Sequence, residues 1–208
     1  GGDYVSILLK ELLLNIPSEF CVEPIYCSSN LAGYYHARDF TLRLLECTPN
    51  CLSDTPLEIR RDDVFLSFGI SSKVVSQQAF FAEARKNGIN IYFLLDDIQE
   101  ASLFNEEKDG AFTQEALLIN QSAECLICTT SSVIDELSTW LHSVKVPRMR
   151  PLRVEMLPKG VTVDVRAKQL ISIIFSQQHN NLATPVFSHH SESDAKHRDS
   201  SCIAVPIV

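Results

Sequence analysis

The chain has 208 residues and a mass of 23.3 kDa, the length of one large domain or two small ones. With 45% hydrophobic and 21% charged residues it carries enough apolar side chains to bury a sizeable core, which excludes wholesale disorder. The 18 Lys and Arg against 26 Asp and Glu leave a net charge of −8, which repels polyanions at long range and excludes nucleic acid as an expected partner.

In chain order, Val5 and residues 8–14 have the apolar spacing of an amphipathic helix, stopped by Asn15-Ile16-Pro17-Ser18. Residues 21–27 form a short β-prone run, and 38–45 a helical or mixed stretch. From 46 to 56 the composition turns to Cys, Thr, Pro, Asn, Ser and Asp, which reads as a loop. Residues 63–68 predict a buried strand. Gly69 follows, then Ser71 and Ser72, which can cap a helix over 74–87 with its apolar face at Val75, Ala79, Phe80 and Ala82. Gly88 closes that helix, and 89–95 is a second buried strand. A helix over 112–120, a strand over 123–128, a helix capped by Ser131 and Ser132, and a strand over 154–157 continue the alternation. Trp140 shares a helix face with Ile134 and Leu137 and reads as a core aromatic.

Nearly continuous apolar strands alternating with amphipathic helices predict an α/β fold, a Rossmann-like doubly wound parallel sheet covered on both faces, over residues 1–166. Ligands of such sheets bind beyond the carboxyl ends of the strands. Those ends are Phe68-Gly69, Asp96-Asp97, Thr129-Thr130-Ser131 and Pro158-Lys159-Gly160. Residues 167–208 read as a tail. Within it, 167–175 is one helix or strand, 188–201 a loop or frayed segment, and 203–208 an edge strand where Pro206 would be tolerated.

No apolar run approaches the ~18–20 residues that span a bilayer, and the opening Gly-Gly-Asp lacks the basic start of a signal peptide. Seven cysteines scattered over a chain of this length point to reduced thiols in a cytoplasmic protein rather than a disulfide framework. Cys47 with Cys51, and Cys125 with Cys128, each look like half a zinc site. Neither pair has a partner pair nearby, and a strand sends Cys125 and Cys128 to opposite faces. His179, His189, His190 and His197 form no i, i+4 pair. No metal and no cofactor are expected.

The stretch from Cys21 to Asp164 resembles the N-terminal domain of retaining, group-1 glycosyltransferases of the GT-B fold, the enzymes of bacterial polysaccharide synthesis. Val22-Glu23-Pro24-Ile25-Tyr26 with Gly33-Tyr34 and Ala37-Arg38-Asp39-Phe40 is similar to the family's early strand and Gly-Tyr segment. Asp62-Asp63-Val64-Phe65-Leu66 is similar to its "GDVFL" strand, and Asn87-Gly88-Ile89-Asn90-Ile91-Tyr92-Phe93-Leu94-Leu95-Asp96-Asp97-Ile98 to its following strand and loop. The most specific match runs from Ala123 to Leu141, ending Val133-Ile134-Asp135-Glu136-Leu137-Ser138-Thr139-Trp140-Leu141, and resembles a family segment ending in "ADELxxWL". The chain departs from the family at its start, where only Gly1-Gly2 stand for the first strand and its turn. It departs again at Asp96-Asp97, at Thr130-Ser131, where the family has Ser-Arg, and after Arg166, where no second Rossmann domain follows.

The resemblance implies an acceptor-side half-domain that takes part in sugar transfer from a nucleotide sugar to a saccharide acceptor. It further implies a need for a donor-binding domain, little activity of the chain alone, and peripheral association with a membrane. Such transfer needs a diphosphate cradle and a polar pocket for the acceptor hydroxyl. Gly1 and Gly2 before the first helix can approach a phosphate, or are merely a flexible start. Asp97 is the catalytic candidate. It can orient an acceptor hydroxyl, with Asp96 beside it raising one carboxyl pKa, or one acid caps a turn while the other is solvated. Thr130 and Ser131 line the same edge or cap a helix, and Lys159-Gly160 offers a cation and a bendable backbone or a plain surface turn. Only 7 glycines in 208 residues, about half the usual ~7%, argue against several phosphate loops. The rival reading is a non-catalytic Rossmann-like interaction module that docks a partner along the sheet edge left by the missing first strand.

Overall fold

The computed structural model describes residues 2–27, 33–48, 53–58, 60–69, 78–95, 114–143, 148, 151–176 and 201–207. Helix α1 (Gly2–Asn15) stops before Pro17, whose ring and missing N–H cannot continue it. Phe20 N then donates to Pro17 O at 3.0 Å and turns the chain into β1 (Phe20–Cys27). Strand β2 (Tyr34–His36) pairs back on β1, and α2 (Arg38–Leu44) follows. From there strands and helices alternate: β3 (Val64–Phe68), α3 (Gln78–Lys86), β4 (Asn90–Leu95), α4 (Gln114–Ser122), β5 (Cys125–Cys128), α5 (Ser131–Ser143), β6 (Arg153–Met156), α6 (Val163–Phe175) and β7 (Ser201–Pro206).

Among the described residues seven strands join one sheet in the order β2-β1-β7-β3-β4-β5-β6. Each pairing between these strands is parallel except that of β1 with β2. Because successive strand residues face opposite sides, each strand feeds two cores. On one side Phe81, Ile119, Val133, Leu137 and Trp140 of α3, α4 and α5 cover Phe65, Phe93 and Leu126. On the other, Leu8, Leu9 and Leu12 of α1 and Leu170, Ile171 and Ile174 of α6 cover Leu66, Tyr92, Ile127 and Ile203. This is the doubly wound, Rossmann-like α/β arrangement that the alternation predicts. Cys125 and Cys128 fall in opposite cores, as a strand requires.

Strand β7 corrects the sequence reading. It is a central strand, hydrogen-bonded between β1 and β3, and not an edge strand. Ile203 registers with Val22 on one side and Val64 on the other, and Cys202, Ile203, Ala204 and Val205 are all buried. Asp63 fixes where β7 begins: its Oδ1 accepts from Cys202 N at 2.9 Å and its Oδ2 from Arg60 N at 2.8 Å. Pro206 is tolerated because the pairing with β3 stops at Ala204, so the donor it lacks is not needed there.

The division drawn at Arg166 also gives way, since α6 runs across that position and β7 lies mid-sheet. Residues 167–175 belong to that helix, and 188–200 lie outside the described residues.

Two aromatic contacts lie at the two ends of α6, the helix that packs beside α1. The Phe20 ring, at the start of β1, stacks on Phe175, at the end of α6, with centroids 3.6 Å apart. At the other end of these helices Arg166 sits 5.0 Å over the Tyr4 ring. Helix α1 therefore begins at the carboxyl end of the sheet, where β7 finishes. In space, β7, α1 and β1 make one βαβ unit, with β7 in the slot of the strand that would lead into α1. The open edge assigned to a missing first strand does not exist between β1 and β3, and docking by strand addition at that position loses its surface.

Two local readings also change. In α3 the residues facing the sheet are Phe81 and Ala84, while Ala79 and Ala82 are exposed and Phe80 is half-buried. The Phe81 ring meets Phe65 edge-on at 5.1 Å, which sets the helix's rotation. Val75 lies outside the described residues. Gly88 does close α3: at φ 80 its N donates to Arg85 O and Ile89 N donates to Ala84 O, the paired bonds of a Schellman ending. Among the described residues no helix is long and apolar enough to cross a membrane.

Candidate functional site at the carboxyl edge of the sheet

Parallel strands bring their carboxyl ends to one edge, and backbone bonds knit those ends together. Gly69 N donates to Leu94 O at 2.8 Å, Thr129 N to Leu95 O at 3.3 Å, Leu157 N to Cys128 O at 2.8 Å, and Ile207 N to Ile25 O at 2.7 Å. Gly69, at φ 78, turns the chain off β3, with Ser67 Oγ donating to its carbonyl at 2.8 Å. The edge is thus a continuous rim running from β1 to β6.

The predicted residues distribute along it as follows. Thr130 and Ser131 follow β5, and Lys159 and Gly160 follow the neighbouring β6, so these four share the rim. Thr130, not Ser131 or Ser132, is the N-cap of α5: its Oγ1 accepts from Val133 N at 3.4 Å, and Ser131 is the first helical residue. Lys159 and Gly160 form an exposed turn. Gly160 is not in the left-handed region, and a Cβ there would meet nothing within 4 Å, so its backbone does not require glycine. Gly2 is the first residue of α1. Gly1, Asp96 and Asp97 lie outside the described residues; the last described residue before the two acids, Leu95, ends β4 at this rim.

The sequence reading missed Arg166. It lies in the first turns of α6 and is only 3% exposed, yet it is a cation. Its Nη1 donates to the Tyr4 hydroxyl and its guanidinium lies over the Tyr4 ring, so it joins the start of α6 to the start of α1. The signal was visible in α6: Arg166 stands on the stripe of Ala167, Leu170, Ile171 and Ile174, where an apolar residue is the norm. Nearby, Thr162 at the N-cap of α6 donates its hydroxyl to Asp164, which holds that exposed carboxyl below its ordinary range.

Chemically, the rim offers backbone donors at the starts of α1 and α5, hydroxyls at Thr130 and Ser131, and an exposed cation at Lys159, with Arg166 buried behind it against Tyr4. That set suits an oxygen-rich, polyhydroxylated or anionic ligand. The buried thiols below it are not nucleophiles: burial pushes Cys125 up to about 12 and Cys128 to about 11. A cavity of about 520 Å³ lies at the opposite edge, lined by Arg85, Lys86, Glu124 and Arg148, and includes none of the predicted residues. Comparisons with family models, curated proteins and solved structures find no match for this chain.

Proposed function

We propose that this chain is the acceptor-side Rossmann-like half of a group-1, GT-B glycosyltransferase, working with a donor-binding domain to move a sugar from a nucleotide sugar to a saccharide acceptor. The observation that carries the reading is Arg166, a buried cation at the start of α6 held against Tyr4 in the first turn of α1, at the carboxyl end of the sheet. Helices α1 and α6 both begin at this part of the rim, so their N-termini supply backbone donors there. In this reading Asp97 orients the acceptor hydroxyl, Thr130 and Ser131 bind acceptor hydroxyls, and Gly1, Gly2 and Lys159 face the phosphate side. A cytoplasmic setting, peripheral to a membrane, agrees with the free thiols of Cys21, Cys27, Cys47, Cys125, Cys128 and Cys202.

The test is an amide NMR titration of the chain with a panel of nucleotide sugars and oligosaccharide acceptors. Acceptors are expected to shift the amides of Thr129, Thr130, Lys159 and Gly160, and Asp97→Asn and Lys159→Ala to weaken those shifts. Absence of shifts at this rim across the whole panel, in a folded chain, would overturn the reading.

A further inference from the structure

Cys21 and Cys202 are 181 positions apart in the chain but are register partners in the parallel pairing of β1 with β7. Strand alternation puts Glu23, two residues on from Cys21, on the same face. The Sγ atoms of Cys21 and Cys202 and a carboxylate oxygen of Glu23 all lie within 4.8 Å of one another. The Sγ of Cys21 is 3.8 Å from Glu23 Oε1. In a tetrahedral zinc site with Zn–S bonds of about 2.3 Å, two sulfur ligands stand roughly 3.8 Å apart. The three atoms are therefore already close to the ligand spacing such an ion imposes.

The surroundings complete the geometry. Glu23 divides its oxygens: Oε1 faces Cys21, while Oε2 lies 2.7 Å from His36 Nδ1. Carboxylates that ligate metals are themselves hydrogen-bonded by outer partners, the place His36 takes here. Cys202 is 2% exposed, and Cys21 and Glu23 are half-buried. A cavity of about 330 Å³ lined by Glu23, His36, Arg38 and Thr41 reaches the carboxylate from outside and leaves an entry path to it.

We propose that Cys21, Cys202 and Glu23 form a binding site for a thiophilic divalent cation, zinc by preference, with His36 as the residue positioning the carboxylate. Two thiolates with one carboxylate favour zinc over the hard cations magnesium and calcium. Binding releases the two thiol protons to solvent and clamps β7 to β1 near the start of both strands, which links metal binding to retention of the central strand. The site is independent of the sugar-transfer reading and lies at the other end of these strands from the carboxyl rim.

The test uses the full, reduced chain titrated with cobalt(II) and then zinc. One equivalent of cobalt is expected to give a thiolate-to-cobalt charge-transfer band and the intense visible bands of tetrahedral geometry, both bleached by zinc. Zinc should also raise Tm. Cys21→Ser and Cys202→Ser should each abolish the charge-transfer signature of the pair, and Cys47→Ser should leave it intact. His36→Gln should keep the thiolate band and weaken affinity about 10–100-fold. If the serine variants fail to fold by circular dichroism, Glu23→Gln serves in their place, with a changed visible spectrum and weaker binding expected. A folded, reduced chain with no thiolate band would overturn the proposal. So would a band that survives Cys21→Ser or Cys202→Ser, or a purified chain in which those two cysteines are joined to each other and take up no metal after reduction.

Discussion

Placing β7 in the middle of the sheet makes Ile203 one of the most consequential side chains in the protein. It is 1% exposed, flanked by Val22 and Val64 in the register, and covered by the α1 and α6 layer. Ile203→Ala removes three carbons from a site closed on every side. Collapse around the gap is limited because β1 and β3 are each held by their own neighbours. Large-to-small changes of this kind cost about 2–5 kcal/mol. For a domain of this size a loss of about 3 kcal/mol lowers Tm by roughly 6–12 °C. The assay is equilibrium denaturation in urea together with a thermal melt. The midpoint should fall with the slope unchanged, since the surface exposed on unfolding hardly differs. Val165→Ala, on the exposed side of α6, is the control and should move stability by no more than about 0.5 kcal/mol. If Ile203→Ala behaves like Val165→Ala, β7 is not a core strand and the topology is wrong.

Two further outcomes follow from local geometry and burial. Gly88→Ala forces a side chain into a φ of 80, although its Cβ would meet only Arg61 Cγ at an ordinary 3.8 Å. The backbone term alone should therefore cost about 1–2 kcal/mol, whereas Gly160→Ala should be nearly neutral in the same melt; equal effects would contradict this account of the α3 ending. Stability should also fall as pH rises from about 9 towards 12. Burial raises Cys125 from 9.0 to about 12, Cys128 from 9.0 to about 11 and Tyr92 from 10.0 to about 12. Above their ordinary values the unfolded chain loses these protons while the folded chain keeps them, so the stabilisation is complete below about pH 9 and lost on passing through the folded values. Urea midpoints that stay level between about pH 8 and about pH 10 would refute it, and thiol reagents should reach exposed Cys47 well before Cys125 or Cys128.

The alternating elements of the middle of the chain were legible because each carries its own periodic signal. The apolar runs ending at Phe68, Leu95 and Cys128, the closing glycine at 88 and the helix through Trp140 are local patterns, and the structure has them where the sequence puts them. The rotation of α3 was not legible. Phe80 and Phe81 are adjacent and equally apolar, and both reach the Phe65 ring; only the packing of Phe81 between Phe65 and Phe93, with Phe80 turned towards Tyr34, buries Phe81 fully. At the candidate site the strand ends were readable from the alternation. Arg166 was overlooked because charge alone says nothing of burial, although its place on the apolar stripe of α6 was there to be read.

By itself the sequence determined the class of fold and which segments gather at the carboxyl edge of the sheet, because hydrophobic period and turn chemistry act over a few residues. Only the tertiary structure decided where the last strand goes. The proline in residues 201–206 suggested an edge, but a run buried on both faces and anchored by Asp63 pairs more backbone and covers more apolar surface in the central slot. That insertion is a contact between opposite ends of the chain, which no local pattern encodes. The same contact sets Cys202 beside Cys21 and Glu23, a grouping that no spacing in the sequence could show.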